Sequence, residues 1–267
     1  MTTAHAASAL DLSHRAAPHT LPEWMDEPCS YEDFRACLVD LGHCNTLTLA
    51  ARPTLDFLAR LSMKQAWQQP GVQEALARGE RVRITLPKLR IVDVGCGGGD
   101  MLRRIARWAD RRGQQVELTG IDLNPHAARA AESLTPPAFA GRIRYITGDA
   151  FAHTEPVDVV LSSLFTHHLE DEEIVRYLAW SERTAQMGWF INDLCREAIP
   201  CRFFPLLARI LRWHRFVVHD GPVSFRRSFR EADWTHLTQQ ARLPLDKIQL
   251  RRWTPARLCV EHLRSDS

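Results

Sequence analysis

The sequence contains no long apolar run. No stretch approaches the ~20 consecutive apolar residues that a membrane-spanning helix needs. The first residues, MTTAHAASAL, include neither the basic segment nor the apolar core of a secretory signal. We therefore expect a cytoplasmic protein without stable membrane insertion, for which a peripheral membrane contact stays open.

Paired cysteines and a charge imbalance are also missing. The seven cysteines are scattered and include no C-x-x-C pair, which excludes a disulfide framework and a zinc site of the usual spacing. We therefore predict no metal. The 34 basic residues nearly balance the 32 acidic ones, for a net charge of +2, so composition does not favour a nucleic-acid partner and we predict none.

The chain is long enough for one globular domain with an appended segment. Residues 1–22, rich in Ala, His, Ser and Pro, are predicted to form a flexible tail. In residues 23–88, apolar positions such as Phe34, Cys37 and Leu41 recur at steps of three and four. This spacing predicts amphipathic helices, which we interpret as an N-terminal lid.

Residues 89–267 are predicted to form the main domain, because strand and helix patterns alternate after Pro87. The predicted strands are 89–94, 116–121, 142–146, 157–162 and 187–191, and the helices between them are 100–112, 125–134 and 171–183. Such alternation predicts a parallel sheet with helices on both faces. Helices at 200–213 and 229–241 follow, and strand-like pieces at 245–251 and 257–263 are expected to close the sheet as an antiparallel hairpin.

A glycine-rich loop follows the first strand of this domain. In Ile91-Val-Asp-Val-Gly-Cys-Gly-Gly-Gly-Asp100, the third position of the dinucleotide pattern G-x-G-x-x-G is Asp100 instead of glycine, and no P-loop Gly-Lys-Ser/Thr is present. The acids Asp93 and Asp100 would repel a pyrophosphate but favour a ligand that carries a sulfonium and an ammonium.

Two further acids follow the next two strands. Asp122, in Thr119-Gly-Ile-Asp-Leu-Asn124, ends the second strand, where a carboxylate can accept hydrogen bonds from both hydroxyls of a ribose. For Asp122 alone, a helix N-cap before Pro125 is the alternative. Asp149, in Ile146-Thr-Gly-Asp-Ala150, is placed to accept from an adenine amino group. Together with the glycine loop, these acids predict a binding site for an adenosyl sulfonium.

At these residues the sequence resembles the class I S-adenosylmethionine-dependent methyltransferases, over about residues 89–263. Their first motif, D/E-x-G-x-G-x-G, is matched by Asp93, Gly95, Gly97 and Gly99. The resemblance implies a Rossmann-like α/β fold whose seven-stranded, mostly parallel sheet has an antiparallel end, with S-adenosyl-L-methionine as cofactor. The predicted cofactor-binding residues are Asp93, Gly95, Cys96, Gly97, Gly99, Asp122, Leu123, Asp149, Ala150 and Ser162.

The loop after the fourth strand contains a pair of histidines, His167 and His168. Methyl transfer to a phenol or an enol carbon requires removal of a proton, and histidine titrates near neutrality. The loop is similar to the corresponding segment of ubiquinone and menaquinone biosynthesis methyltransferases, where a histidine is often structural. We therefore keep both as candidate bases without ranking them.

Other acceptor chemistries fit the sequence less well. Ser162-Ser-Leu-Phe165 does not match the Asn/Asp-Pro-Pro-Tyr/Phe motif of amino-group methylation, and no cysteine lies near for cytosine C5 chemistry. The magnesium site of catechol enzymes is incomplete, because serines stand where an aspartate is needed. Asn192 and Asp193 end the fifth strand, where they could orient an acceptor hydroxyl.

Residues 198–228 are predicted to form an insertion over the acceptor. They are apolar with interspersed arginines, which fits a lid over a hydrophobic acceptor, an interfacial helix touching anionic lipid, or an ordinary packed helix or dimer contact. A turn and a basic segment are predicted at 219–228, where His219 and Arg226 face the acceptor or pair with surface acids. Tyr31 and Asn45 are candidates for closing over the cofactor.

These patterns predict a methyltransferase that acts on oxygen or carbon of a small, hydrophobic phenolic, quinonoid or polyketide-like acceptor in secondary metabolism. We expect it to be a monomer or a homodimer. A noncatalytic, S-adenosylmethionine-binding partner subunit and a protein or nucleic-acid methyltransferase are the alternatives.

Overall fold

The computed structural model describes residues 11–81 and 84–264. A seven-stranded sheet forms its centre, with the order β3-β2-β1-β4-β5-β7-β6. The strands are β1 Leu89–Val94, β2 Val116–Asp122, β3 Ile143–Thr147, β4 Val157–Ser163, β5 Ala185–Leu194, β6 Gln249–Trp253 and β7 Arg257–Leu263. The helices are α1 Tyr31–Leu47, α2 Arg52–Gln68, α3 Val72–Ala77, α4 Asp100–Arg112, α5 Ala127–Leu134, α6 Asp171–Thr184, α7 Ala198–Ile210, α8 Arg215–Arg227 and α9 Glu231–Gln240.

The direction of the strands confirms the predicted sheet. The strands β1 to β5 pair in parallel, whereas β7 pairs antiparallel with both β5 and β6. Because parallel strands share a carboxyl edge, the loops after β1, β2, β3 and β4 meet on one side of the sheet. That edge is where the glycine loop, Asp122, Asp149 and the histidine pair were expected.

Buried side chains cover both faces of the sheet. On one face Ile91 and Val159 pack against α4 and against Phe57 and Leu58 of α2. On the other face Val92 and its neighbours pack against α6 and α9. Strands buried on both faces are typical of parallel sheets. Within the described residues, no helix has the length and apolar character needed to cross a membrane.

The segment 219–228 differs from its prediction as a turn followed by a basic segment. It belongs to helix α8, which continues through Gly221 and Pro222. Both residue types disfavour a helix interior. Tertiary packing overrides this preference, because a Cβ at position 221 would collide with the ring of Phe204 on α7. Glycine is therefore what allows α7 and α8 to approach so closely.

Part of the predicted tail packs on the domain. Leu12 is buried, and Nε of Arg15 donates to the carbonyl of Arg227 at 2.8 Å. The Arg15 guanidinium also forms an ion pair with Asp171 at the start of α6 and lies over the ring of Phe229. Arg15 therefore ties residues 11–22 to α6, to α8 and to the segment between α8 and α9. Composition does not show this role. Residues 1–10 of the predicted tail lie outside the described residues.

Candidate functional site

A cavity of about 1500 Å³ lies at the carboxyl edge of the sheet. Its floor is formed by the loops after β1, β2, β3 and β4, and its roof by residues before and within α1 and by the pair α7 and α8. Of the predicted site residues, the cavity is lined by Asp93, Gly95, Cys96, Gly97, Asp122, Leu123, Asp149, Ala150, His167 and His168. The fold thus brings most of the predicted cofactor residues and both histidines to one space.

The glycine loop turns tightly below this cavity. Gly95, Gly97 and Gly99 have φ angles of 69°, 48° and 71°, which side chains other than glycine rarely adopt. A Cβ on Gly95 would also collide with the ring of Phe165. Gly99 lies behind the loop as the N-cap of α4 and does not line the cavity.

Asp122 and Asp149 hold their loops through backbone hydrogen bonds. The carboxylate of Asp122 accepts from the N–H of Gly97 at 2.8 Å and from the N–H of Asn124 at 2.9 Å. Burial raises the pKa of Asp122, and these two hydrogen bonds oppose that shift. Asp149 accepts from the N–H of Phe151 at 2.9 Å and thereby caps a short 3-10 turn. The N-cap alternative for Asp122 is wrong, because α5 begins at Ala127 with His126 as its N-cap and without a capping side chain. Asp122 instead holds the loops after β1 and β2 and lines the cavity.

Asp93 is a buried acid at the end of β1 that lines the cavity. The side chain is 2% exposed, and its Oδ1 has no hydrogen-bond partner among the described residues. Burial, reinforced by Asp122 and Asp100, raises the pKa of Asp93 to about 8. A buried carboxylate without a partner is costly. An ammonium or sulfonium group nearby would stabilise its charged form.

His167 lies in a short 3-10 turn after β4 and lines the same cavity. Its Nδ1 is 2.7 Å from Oδ1 of Asp193, while the other carboxylate oxygen accepts from Thr166 Oγ1 at 2.5 Å and from the His167 N–H at 3.1 Å. Although burial raises the pKa of Asp193, His167 and these hydrogen bonds outweigh it and hold that pKa well below its usual range. Asp193 thus fixes the orientation of the imidazole.

His168 has a different set of partners. Its Nδ1 is 2.7 Å from Oδ1 of Asp26, whose other oxygen accepts from Nη1 of Arg227 at 2.8 Å. Burial lowers the pKa of His168, but the carboxylates of Glu23 and Asp26 outweigh this effect and raise it to about 9. A histidine that remains protonated near neutral pH is a poor base. His167 is therefore the better candidate base of the two histidines, which the sequence does not rank.

Glu23 joins the two histidines. Its carboxylate lies 3.6 Å from Nε2 of His167 and 3.9 Å from Nε2 of His168. These three side chains are close enough to hold a metal ion, with one candidate ligand atom from each within 4.8 Å of the others. Glu23 already has other partners, because Ser224 Oγ donates to it at 2.8 Å and Nη1 of Arg227 lies 3.6 Å away. This existing cation and donor favour an ionic network over a metal centre.

Besides Gly99, six predicted site residues lie outside the cavity lining. Ser162 is buried beneath it, and Asp193 lies behind His167. Asn192 donates to the carbonyl of Ala50 at 2.8 Å, which ties β5 to the start of α2. The remaining three are His219, which stacks on Trp24, Arg226, whose carbonyl accepts from Ala16, and Tyr31, which lies below Arg129.

Several side chains around the histidines belong to no motif of the sequence. Glu23, Asp26 and Arg227 surround the histidines, yet they lie far from them in sequence and in no recognisable motif. The only available signal was the presence of acids just before α1, which alone indicates nothing about their target. Asn45, in contrast, does line the cavity, with its Nδ2 3.4 Å from Asp100.

Comparisons with known proteins show similarity to methyltransferases. Residues 91–188 match the model of a family described as a methyltransferase domain. Among curated proteins, the chain is similar to trans-aconitate 2-methyltransferase of Streptomyces avermitilis, 36% identical over 37% of this chain and 36% of that protein. It is also similar to indolepyruvate C-methyltransferase of Streptomyces griseus, 35% identical over 33% and 26% of the two chains. The chain thus spans about a third of the length of the first relative and about a quarter of the second.

Solved structures show the same fold over most of the chain. The plantazolicin methyltransferase BpumL, in complex with a triazolic desmethylPZN analog and SAH, has a TM-score of 0.51 at 14% identity, covering 88% of this chain and 97% of that one. A second BpumL complex, with a pentazolic analog, has a TM-score of 0.50 at 13% identity. The architecture is therefore the Rossmann-like fold of class I methyltransferases.

Proposed function

We propose that this chain, whose residues 91–188 form an S-adenosylmethionine-dependent methyltransferase domain, methylates oxygen or carbon of a small, hydrophobic phenolic, quinonoid or polyketide-like acceptor. One observation carries the proposal: a histidine held by a buried aspartate lines the same cavity as the glycine loop and the two acids. Polyketide-like acceptors belong to secondary metabolism, and the proposal extends to that setting.

The cofactor end has the chemistry that an adenosyl sulfonium requires. Asp122 would accept from the ribose hydroxyls, Asp149 from the adenine amino group, and Asp93 would neutralise the cationic methionine part. Gly95 and Gly97 let the backbone come close to the ligand because they carry no side chain. When bound, S-adenosylmethionine supplies a methyl group whose carbon–sulfur bond breaks as the acceptor's electron pair forms the new bond.

His167 is the candidate general base. With Nδ1 bonded to Asp193, Nε2 is the atom left to take the proton from an acceptor hydroxyl or from an acidic carbon. The hydrogen-bond geometry assigns this tautomer. Once protonated, the imidazole lies between the carboxylates of Asp193 and Glu23, which stabilise its positive charge.

The acceptor end of the cavity is predominantly apolar. The apolar lining residues on and around α7 and α8 are Met25, Leu41, Phe203, Phe204, Leu207, Val217 and Phe225. Such surroundings favour a hydrophobic molecule and exclude water from the reacting atoms. The names of the two curated relatives also refer to small molecules as acceptors. We propose that residues 23–88 and 198–228 act as lids over this end.

Calorimetry and an acceptor screen test the proposal. We expect binding of S-adenosylmethionine and of its demethylated product, followed by methyl transfer from radiolabelled cofactor to members of a phenol and quinol panel. Lack of cofactor binding would contradict the whole proposal. Binding without turnover on any acceptor would instead favour a noncatalytic partner subunit, and turnover confined to protein or nucleic acid would overturn the small-molecule assignment.

A further inference from the structure

Helix α7 presents an apolar stripe to the outside of the molecule. Exposed large side chains of Ile199, Phe203, Leu206 and Ile210 follow one another at steps of three and four, and Ile199 and Ile210 are 73% and 68% exposed. That spacing places them on a single face of the helix. The apolar stripe, as we call these four residues, therefore points to solvent.

The opposite face of α7 is the one that packs on the protein. Cys201 and Ala208 are buried there, seven residues apart and hence on the same side of the helix. Elsewhere in the described residues, exposed large apolar side chains occur singly or in pairs, as with Met63 and Trp67 on α2. A continuous exposed stripe of this kind marks a contact surface.

Arginines flank the apolar stripe. Arg202 and Arg209 lie on one side of it, and Arg212 follows the helix end; all three are exposed. Residues 198–219 contain no aspartate or glutamate. A helix with an apolar side and an arginine-rich flank is typical of segments that lie in the surface of an anionic bilayer.

The mouth of the cavity lies beside the same helix. Phe203 belongs to the apolar stripe and also lines the cavity, together with Pro200, Phe204 and Leu207 of α7. A surface that covered the stripe would thus border the opening to the apolar acceptor end. A second copy of this chain is a less suitable cover, because a symmetric contact would bring arginines of the two copies together.

We propose that α7 docks on the surface of an anionic lipid bilayer. The apolar stripe enters the boundary between head groups and acyl chains, while Arg202, Arg209 and Arg212 contact the anionic head groups. The cavity then opens towards the membrane, from which a hydrophobic molecule can enter without crossing water. This inference concerns where the protein works and goes beyond the proposed reaction.

Vesicle flotation with the full chain tests this inference. We expect the protein to float with vesicles of phosphatidylcholine mixed with phosphatidylglycerol, and to float much less with phosphatidylcholine alone. Added salt should weaken the binding, since screening acts on exposed charges. The double variant Leu206→Gln/Ile210→Gln should lower the partition coefficient by about tenfold or more, because two large apolar side chains no longer enter the lipid.

The matched control is Met63→Gln/Trp67→Gln, which removes two exposed apolar side chains at the same spacing on α2. It should leave flotation unchanged. Arg209→Gln/Arg212→Gln should remove the preference for phosphatidylglycerol, whereas Arg111→Gln/Arg112→Gln at the exposed end of α4 should not. Leu206 and Ile210 do not line the cavity, so cofactor binding by calorimetry should be unaltered and reports correct folding.

Three outcomes would overturn the inference. The first is that the wild-type chain fails to float with anionic vesicles. The second is that it floats but the α7 variants float equally well. In the third outcome, light scattering shows a wild-type dimer that Leu206→Gln/Ile210→Gln converts to monomers, with no vesicle binding, and the stripe then belongs to a contact between copies. None of these measurements depends on methyl transfer, so they test the membrane contact independently of the proposed function.

Discussion

The two ends of the cavity are built in different ways. The cofactor end comes from one continuous part of the chain, residues 93–150, and uses backbone amides and carboxylates that follow parallel strands. The acceptor end combines residues before α1, the turn after β4 and the pair α7 and α8. At the cofactor end, local motifs determine which backbone and carboxylate atoms face the cavity. At the second, an ionic network between distant segments positions His167, the proposed base.

The largest expected effect is on the rate of methyl transfer, and it comes from a change at the proposed acceptor end alone. His167→Ala should lower the rate of methyl transfer by about 10²–10⁴-fold, the usual contribution of a general base, because the acceptor proton loses its receiver. Single-turnover kinetics with radiolabelled cofactor measures this rate. Cofactor affinity by calorimetry should remain close to that of the wild type.

His168→Ala is the matched control for this variant. Because His168 is bound to Asp26 and not to Asp193, its removal should affect the rate less than removal of His167. Equal losses in both variants would contradict the assignment of the base, and unchanged rates in both would remove histidine from the mechanism.

A change at the cofactor end should have the opposite signature. Asp122→Ala should weaken binding of S-adenosylmethionine and of its demethylated product by about 10–100-fold, since hydrogen bonds to a charged group contribute roughly 1.5–3 kcal/mol. The rate at saturating cofactor should change little. Calorimetry measures the affinity, with Asp110→Ala, an exposed acid paired with Arg142, as control. An unaltered affinity would exclude Asp122 from the site.

The pH dependence of cofactor binding sharpens the role of Asp93. Its pKa of about 8 means that the free protein holds a proton there at lower pH, and a cationic ligand must displace it. The affinity should therefore increase as pH rises from about 6 to about 8 and level off above, by at most about tenfold per pH unit. Asp93→Asn should bind the cofactor more weakly, and its affinity should depend less on pH. The variant also serves as the control for titration of the ligand itself, which affects both proteins equally. Identical slopes in both proteins would show that Asp93 does not sense the ligand.

The smallest expected effect concerns the packing of the roof. Gly221→Ala should lower the free energy of unfolding by about 1–3 kcal/mol, because the new methyl group would collide with the ring of Phe204. Gly42→Ala, in a helix position where a Cβ meets no atom within 4 Å among the described residues, should instead raise it by about 0.5–1 kcal/mol. Urea denaturation measures both values. Equal changes would show that α7 and α8 do not approach closely in solution.

Local patterns predicted the central sheet well. The bounds of β1, α4 and β7 agree with their predicted ranges, because each element combines an apolar pattern with a clear glycine or charged boundary. The strand β5 extends beyond its predicted 187–191 to Ala185–Leu194. Its last residues, Asn192 to Leu194, are paired with β7, a partner that arrives from a distant part of the chain.

The network around the histidines shows why the contacts of the candidate site could not be predicted from local patterns. Neighbouring histidines face different partners, so that Asp193 binds the first and Asp26 the second. The sequence suggests that Asp193 could orient an acceptor hydroxyl, whereas its carboxylate accepts hydrogen bonds from His167, Thr166 and the N–H of Leu194. These pairings arise only because the folded chain brings the ends of β4 and β5 and the segment before α1 together.

The sequence by itself determined the order of strands and helices from β1 to β5, the glycine loop and the two acids after β2 and β3, because each depends on the conformational preferences of neighbouring residues. Tertiary structure alone decided which histidine is oriented by a buried aspartate, that Gly221 lies inside a helix, and that the apolar stripe of α7 faces outward. Those features depend on contacts between residues distant in the chain, whose energies no local pattern encodes.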